Sequence, residues 1–364
     1  MRTSLLSCLV LLTLAGTASA STPWDRWRIA AEESRIEPYL GREALLLRNG
    51  IAWLDGSAFR DGTVSFDLAM SAADASFDGL MFRAVDDANY EHVYLRPHLS
   101  GKPDATQYQP IFNGEGGWQI YSGPRFQQPA TIAGDRWIHV EIRVLGRRLE
   151  MSVDGQMLVF PQLVRPVTTG RIGVGALGAA AHFANVEIDA DTPPRMSMTA
   201  GAQPAAMPAG IVPRWRVSTP FAESRIDGES PLNPHDWPDL RWDVMESGVG
   251  GIANLAMLRT RTPERNTVFA TVTVHADRPA MAHARFGFSD RVTVFLDGRP
   301  LYRGRDEFAS RDDRFLGTVG LFDELVLPLD RGDHEIRFAV SEDFGGWAVL
   351  LQLPETNAVR VVQP

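Results

Sequence analysis

Alternation of polar and apolar residues with a period of two dominates this chain from Thr63 onward, and that period predicts strands rather than helices. Thr63-Val64-Ser65-Phe66-Asp67-Leu68-Ala69 shows it plainly, and Ile138, Val140, Ile142 and Val144 repeat it with Trp137 one residue out of phase. Two further alternations, 149–153 and 156–160, are separated by Asp154-Gly155. Asp-Gly between apolar alternations is a strong hairpin signal, because both central residues must tolerate positive φ. Residues 170–175 and 182–188 add two more strands. Later come 267–274, then 291–296 turned by Asp297-Gly298 into 299–302, then 335–340 and 347–351. No stretch in the first half sustains a helical period. Regular strands with frequent turns predict sandwiches.

Between residues 192 and 213 the pattern collapses into Pro, Ala, Met, Ser and Gly, which reads as a linker. The expected organisation is therefore all-β: one β-sandwich over 21–192, a linker over 193–213, and a second jelly-roll sandwich over 214–364. Residues 1–20 have a basic start, a short apolar run and an Ala18-Ser19-Ala20 ending, the parts of a cleaved signal peptide. Their apolar run is too short for a bilayer, which needs about 20 residues. Cleavage near Ser21 removes Cys8, the only cysteine. A mature chain without disulfides fits a bacterial envelope protein, periplasmic or secreted, better than an animal extracellular one.

Composition narrows the partners. The formal net charge of −9 argues against nucleic acid and anionic membranes, which reward basic patches. No second apolar run is long enough to span a membrane. The 32 glycines and 24 prolines suit many short strands joined by tight turns.

The most unusual stretch begins at Tyr90. If residues 90–98 are one strand, Tyr90, His92, Tyr94, Arg96 and His98 share a face, with Val93 and Leu95 opposite. Rings, imidazoles and a guanidinium suit sugars, which offer CH patches for stacking and hydroxyls for hydrogen bonds. The competing reading is a polar solvent face. Residues 99–117 show no strand period and read as a long loop, which in compact domains is usually functional or disordered. Asp104, Gln107, Tyr108, Asn113 and Trp118 would form one wall of a pocket there, or simply pin a packed loop; Arg83 joins the candidates. Asp78, Asp86, Asp87, Glu91, Asp104 and Glu115 are the carboxyls at hand, and no spacing singles out the pair that glycoside hydrolysis needs. No cofactor is expected. Asp86-Asp87-x-Asn89 offers hard oxygens that calcium accepts, but reads more simply as a turn. In Asp343-Phe344-Gly345-Gly346-Trp347, Trp347 either stacks on a ligand or begins a core strand.

Residues 137–155, followed by Gly170-Arg171-Ile172-Gly173-Val174 and Phe183-Ala184-Asn185-Val186, resemble the later strands of concanavalin A-like lectin/glucanase domains. Laminin-G-like and keto-disaccharide hydrolase-like families share that pattern. Residues 78–83 with Asn89-Tyr90-Glu91 look like the middle strands, so the resemblance covers about Trp24 to Asp191. It implies a curved jelly roll whose concave face often holds a glycan. The Glu-x-Asp-x-Glu strand typical of the glucanases is missing. In the second half, residues 288–298 and 344–347 resemble galactose-binding-like jelly rolls. The expected function is non-catalytic glycan recognition on the first domain's concave face. A glycoside hydrolase or lyase using His98 and Glu91, and a structural envelope protein binding another protein, are the alternatives.

Overall fold

The computed structural model describes residues 23–203, 207–312 and 315–362; the signal-peptide reading lies outside the described residues. The chain is all-β. Thirteen strands precede the linker: β1 (Trp27–Tyr39), β2 (Arg42–Leu54), β3 (Gly62–Met70), β4 (Ser76–Asp86), β5 (Asn89–Leu95), β6 (Thr106–Phe112), β7 (Glu115–Gly116), β8 (Gln127–Gln128), β9 (Ile138–Leu145), β10 (Arg148–Val153), β11 (Gln156–Phe160), β12 (Arg171–Gly178) and β13 (Ala181–Asp189). They form one antiparallel ribbon ordered β11-β10-β9-β3-β13-β2-β12-β4-β5-β6-β7, with β1 on β2 and β8 on β6.

That ribbon doubles over on itself at β2. Leu45–Leu47 pair with β13, whereas Gly50–Trp53 pair with β12, so one strand belongs to both layers. Asn49, at φ 46°, sits at the switch, and its side chain accepts the Gly178 N–H. Between the layers lies a core of Leu45, Phe66, Phe82, Val93, Val140, Met151, Phe160, Val174 and Phe183, each essentially inaccessible. Alternating side chains from both layers meet there, as a sandwich requires. The Asp154-Gly155 and Asp297-Gly298 turns have the positive φ expected of them (46° and 84°, 51° and 76°).

The second set is β14 (Arg214–Ser218), β15 (Trp242–Glu246), β16 (Ala253–Asn254), β17 (Thr267–Ala276), β18 (Ala280–Ser289), β19 (Arg291–Leu296), β20 (Arg299–Arg305), β21 (Asp323–Leu329), β22 (Gly332–Ser341), β23 (Ala348–Gln352) and β24 (Val359–Val362). A seven-stranded sheet, β15-β14-β17-β22-β19-β20 with β24 on β17, faces a four-stranded one, β16-β23-β18-β21. Trp215, Phe286, Phe338 and Trp347 fill the space between. Trp347 is wholly buried and its indole N–H donates to the Val340 carbonyl, which is the core-strand alternative.

Three expectations change. Residues 99–117 are not one long loop: β6 pairs with β5 from Thr106 to Ile111, leaving only a short connection after a 3-10 turn at Pro97–Leu99. Every residue of β6 is buried, so no alternation marks it in sequence. The β1–β2 hairpin, thirteen residues a side, precedes the first predicted strand. The linker also packs: the Ser197 N–H and hydroxyl bond to Glu150, which Arg148 also holds at 2.6 Å, and Gly210 and Val212 hydrogen-bond to the strand and turn around Leu351 and Leu353.

Candidate functional site

On β5 the expected alternation holds, but the polar-aromatic face is not an open groove. Val93 and Leu95 enter the core, and Tyr90, His92 and Tyr94 share the opposite side. There Tyr90 joins Trp53, Met81, Ala84 and Ile111 in a second apolar cluster, its ring 5.4 Å from Trp53. Glycine makes this closure possible. A Cβ on Gly173 would lie 2.7 Å from the Trp53 ring, and one on Gly175 would lie 2.4 Å from Met81 Cε, so both large side chains lie down on bare backbone. His92 is 1% exposed, neither ring nitrogen has a hydrogen-bond partner, and burial pushes its pKa down to about 3.

Tyr94, Arg96, Asp104 and Gln107 do come together, as a buried network. The Tyr94 hydroxyl donates to Gln107 Oε1 at 2.9 Å; Arg96 donates to the Tyr94 hydroxyl, to Gln107 Oε1 and, at 3.1 Å, to Asp104 Oδ2. Gln107 Nε2 then donates to the carbonyls of Trp118 and Tyr121 at 3.0 and 2.7 Å. These bonds take up most of the groups that a sugar would use, and Arg96 Nε, which has no partner, is buried. Half-buried His98 lies beside Phe77, ring centroids 5.8 Å apart, with burial and then Arg96 lowering its pKa.

Arg83, Glu91 and Tyr108 lie on the other side of the sheet. The Tyr108 hydroxyl donates to Glu91 Oε2 at 2.6 Å and accepts the Val164 N–H at 2.7 Å. Arg83 turns away to the Arg60 carbonyl and Asp61. Burial raises the Glu91 pKa to about 7, with Tyr108 and Arg83 opposing. Glu91 and His98 thus occupy opposite faces and form no acid–base pair. The remaining carboxyls each have their own partner: Asp78 with Ser76, Asp87 with Arg28 and Arg171, Glu115 with Arg261. Asp86 accepts the Ala88 N–H and the Asn89 amide, so it closes the β4–β5 turn.

Asn113 and Trp118 mark a different place, the seam between the sandwiches. Asn113 Nδ2 donates to the Ala256 carbonyl at 2.8 Å, Arg261 meets Glu115 at 3.0 Å, and Asn254 donates to the Tyr121 hydroxyl at 3.1 Å. Gln119, fully buried, is a peg in a socket of the second sandwich. Its backbone N–H donates to the Gly345 carbonyl and its Nε2 to Leu316, while Ser289 Oγ lies 3.1 Å from its Oε1. Gly317 and Gly345 open that socket, since a Cβ on either would lie 2.1 or 2.2 Å from the Gln119 amide. Behind it, Glu342 reaches Ser289 Oγ at 3.1 Å and accepts the Gly346 N–H, and burial beside Asp290 raises its pKa to about 8.

Above this seam stands a platform of three rings. Trp118 packs 5.9 Å from Phe344 and 6.3 Å from Phe308, which are 66% and 56% exposed. Glu307 and Asp343, the residues preceding the two phenylalanines, each bond to Arg291 at 2.7 Å, which also holds Glu223. The charged rim therefore fixes the segments that carry the rings. Sequence reading reached Trp118 and the Gly345-Gly346 pair but not Phe308 or Phe344. Exposed rings on loops follow no period, and no local pattern shows that three distant segments meet.

The sheets define the class of this protein: an antiparallel two-layer β-sandwich, built twice. No family model matches the chain, and no curated protein does. Among solved structures, a carbohydrate-binding module from Bacillus subtilis is similar over 44% of this chain and 94% of its own, at 16% identity and TM-score 0.34. A protein of unknown function with a galectin-like fold, also from Bacillus subtilis, is similar over 46% and 90%, at 12% identity and TM-score 0.34. Bacillus licheniformis beta-glucanase is similar over 48% and 98%, at 13% identity and TM-score 0.32. Among the described residues, no helix is long and apolar enough to cross a membrane.

Proposed function

We propose that this chain is an exported carbohydrate-recognition protein whose ligand stacks on Trp118, Phe308 and Phe344 at the seam between the two sandwiches. The observation that carries the reading is the platform itself: large rings from three distant segments, held against one another, with more than half of two of them open to solvent. Water against such a surface is unfavourable, and exposed apolar patches of this kind mark interaction sites. Prearranged rings lose little freedom on binding, and sugar CH faces match them in polarity. The site is therefore moved from the concave face of the first sandwich, whose rings are already packed.

Recognition without turnover fits the carboxyls, because each first-domain candidate bonds to a partner of its own and the two oxygens left over, Asp78 Oδ1 and Glu91 Oε1, are buried. The signal-peptide-like opening supports export to the periplasm or beyond. Affinity electrophoresis through gels containing neutral polysaccharides tests the proposal. At least one polymer should retard the wild type, and Phe344→Ala should weaken that retardation about tenfold, the equivalent of ~1.4 kcal/mol. Phe344 is exposed, so its removal should leave the melting temperature unchanged. Equal mobility of wild type and variant in every gel would sink the proposal.

A further inference from the structure

On the outer face of the seven-stranded sheet, a cleft of about 580 Å³ opens between the loop after β14 and strands β19 and β20, β20 being the sheet's edge. Ile226 and Ala339 contribute its apolar lining, with Glu223 and Thr293 beside them. Three guanidinium groups line it: Arg291, Arg303 and Arg305. Their bonding states differ, and the difference assigns their roles.

Arg291 is fully occupied. Its Nε and Nη2 donate to Glu223, and its Nη1 donates to Glu307 and Asp343. Arg305 is largely exposed and answers Glu307 at 2.7 Å. Arg303 meets no carboxylate within ion-pair distance among the described residues. Its one described bond runs from Nη1 to the Asp227 carbonyl at 3.2 Å. Gly228, at φ 74°, lets the loop approach so closely that a Cβ there would lie 3.1 Å from both Cδ and Nε of Arg303. The loop thus packs against the guanidinium from its Cδ–Nε side and takes one N–H, while among the described residues no acceptor meets the Nε–Nη2 edge. That edge is the fork that receives a carboxylate through two parallel bonds.

We propose that this cleft binds a carboxylate-bearing sugar residue, with the carboxylate on the Nε–Nη2 edge of Arg303 and the sugar's CH face against Ile226 and Ala339. The inference rests on the carbohydrate reading above and names the class of saccharide. Arg291 couples the two places, since the carboxylates it holds precede Phe308 and Phe344. The whole protein is acidic, so attraction of such a polymer has to be local, as a guanidinium outside any ion pair supplies, although the nearby Asp227 carboxylate shares its field.

The test uses the full-length protein, polygalacturonate, and the same polymer with its carboxyl groups reduced to alcohols. Titration calorimetry should show polygalacturonate binding at least tenfold tighter than the reduced polymer. Arg303→Ala should abolish that preference, and Arg303→Lys, which keeps the charge but loses the fork, should restore less than half of it. Arg299→Ala, on the same strand and exposed, removes an equal charge and should change affinity less than twofold. Equal affinity for both polymers, or an Arg299 effect as large as that of Arg303, overturns the cleft proposal. Competition by inorganic phosphate equal to that by free galacturonate overturns it too, by showing a general anion site. If Phe344→Ala leaves binding intact while Arg303→Ala removes it, the platform reading fails and the cleft stands.

Discussion

His92 occupies a site that ordinary packing does not favour for imidazole. It is buried on β5 with its ring 4.6 Å from that of Tyr94 and Met81 opposite it on β4, and both nitrogens lack a partner. A buried polar group without a hydrogen bond costs about 1–3 kcal/mol. Its pKa falls from the ordinary 6.5 to about 3, because charging it there means desolvating an ion. The sign follows from linkage: the unfolded chain binds the proton more readily, so stability present above pH 6.5 is lost as pH falls towards 3. His92→Leu removes both penalties. Urea unfolding should show the variant about 1 kcal/mol more stable at pH 8, and roughly 2 kcal/mol further ahead at pH 5. A variant less stable than wild type at both pH values would show that the ring has a partner, such as a ligand or a bound water.

At the scale of strands, glycines decide how the first sandwich closes. A Cβ on Gly79 would lie 2.1 Å from the Val93 carbonyl oxygen, part of the neighbouring strand's backbone, which cannot step aside. On Gly175 the nearest atom is the tip of Met81, a flexible side chain. Gly79→Ala should therefore cost about 3 kcal/mol and Gly175→Ala about 1 kcal/mol or less, read as shifts in the denaturant midpoint. Comparable losses would mean that backbone and side chain yield alike. The same strands show what was legible beforehand. β9 announced itself because one face meets the core and the other is largely open, and β10 and β11 because their residue types alternate around the Asp154-Gly155 turn although Glu150 and Val159 are buried. β6 did not: Gln107 and Gln109 are buried on one side, Tyr108 on the other, and Pro110 falls in the gap between the β7 and β8 pairings. β1 and β2 were hidden by Glu32, Glu33, Arg35 and Arg48, whose ion pairs run along the exposed hairpin. The tyrosine and histidine alternation on β5 was legible as geometry. Whether water or Trp53 would meet that face depended on β2, forty residues away.

The whole molecule is held together by a hydrogen-bond chain that only tertiary structure assembles. Ser289 has one hydroxyl hydrogen and two neighbours, Gln119 Oε1 and Glu342 Oε2, each at 3.1 Å. With Glu342 protonated, its O–H donates to Ser289, and Ser289 donates across the seam to Gln119. Once Glu342 ionises, the carboxylate claims the Ser289 hydrogen and Gln119 Oε1 loses its donor. Burial, reinforced by Asp290, raises the Glu342 pKa from 4.5 to about 8. For a carboxyl raised on folding, the stability it confers is complete below pH 4.5 and is lost as pH rises through about 8. Protection of the Gln119 and Ile120 amides against hydrogen exchange should therefore fall between pH 7 and pH 9, after correction for intrinsic rates. Glu342→Gln keeps a donor for Ser289 and an acceptor for the Gly346 N–H without a titrating proton, so its protection should stay flat across that range. Parallel profiles for the two proteins would show that the seam does not depend on this proton. A flat profile in the variant alone would make Glu342 the group that ties the two sandwiches together, and with them the three rings above the seam.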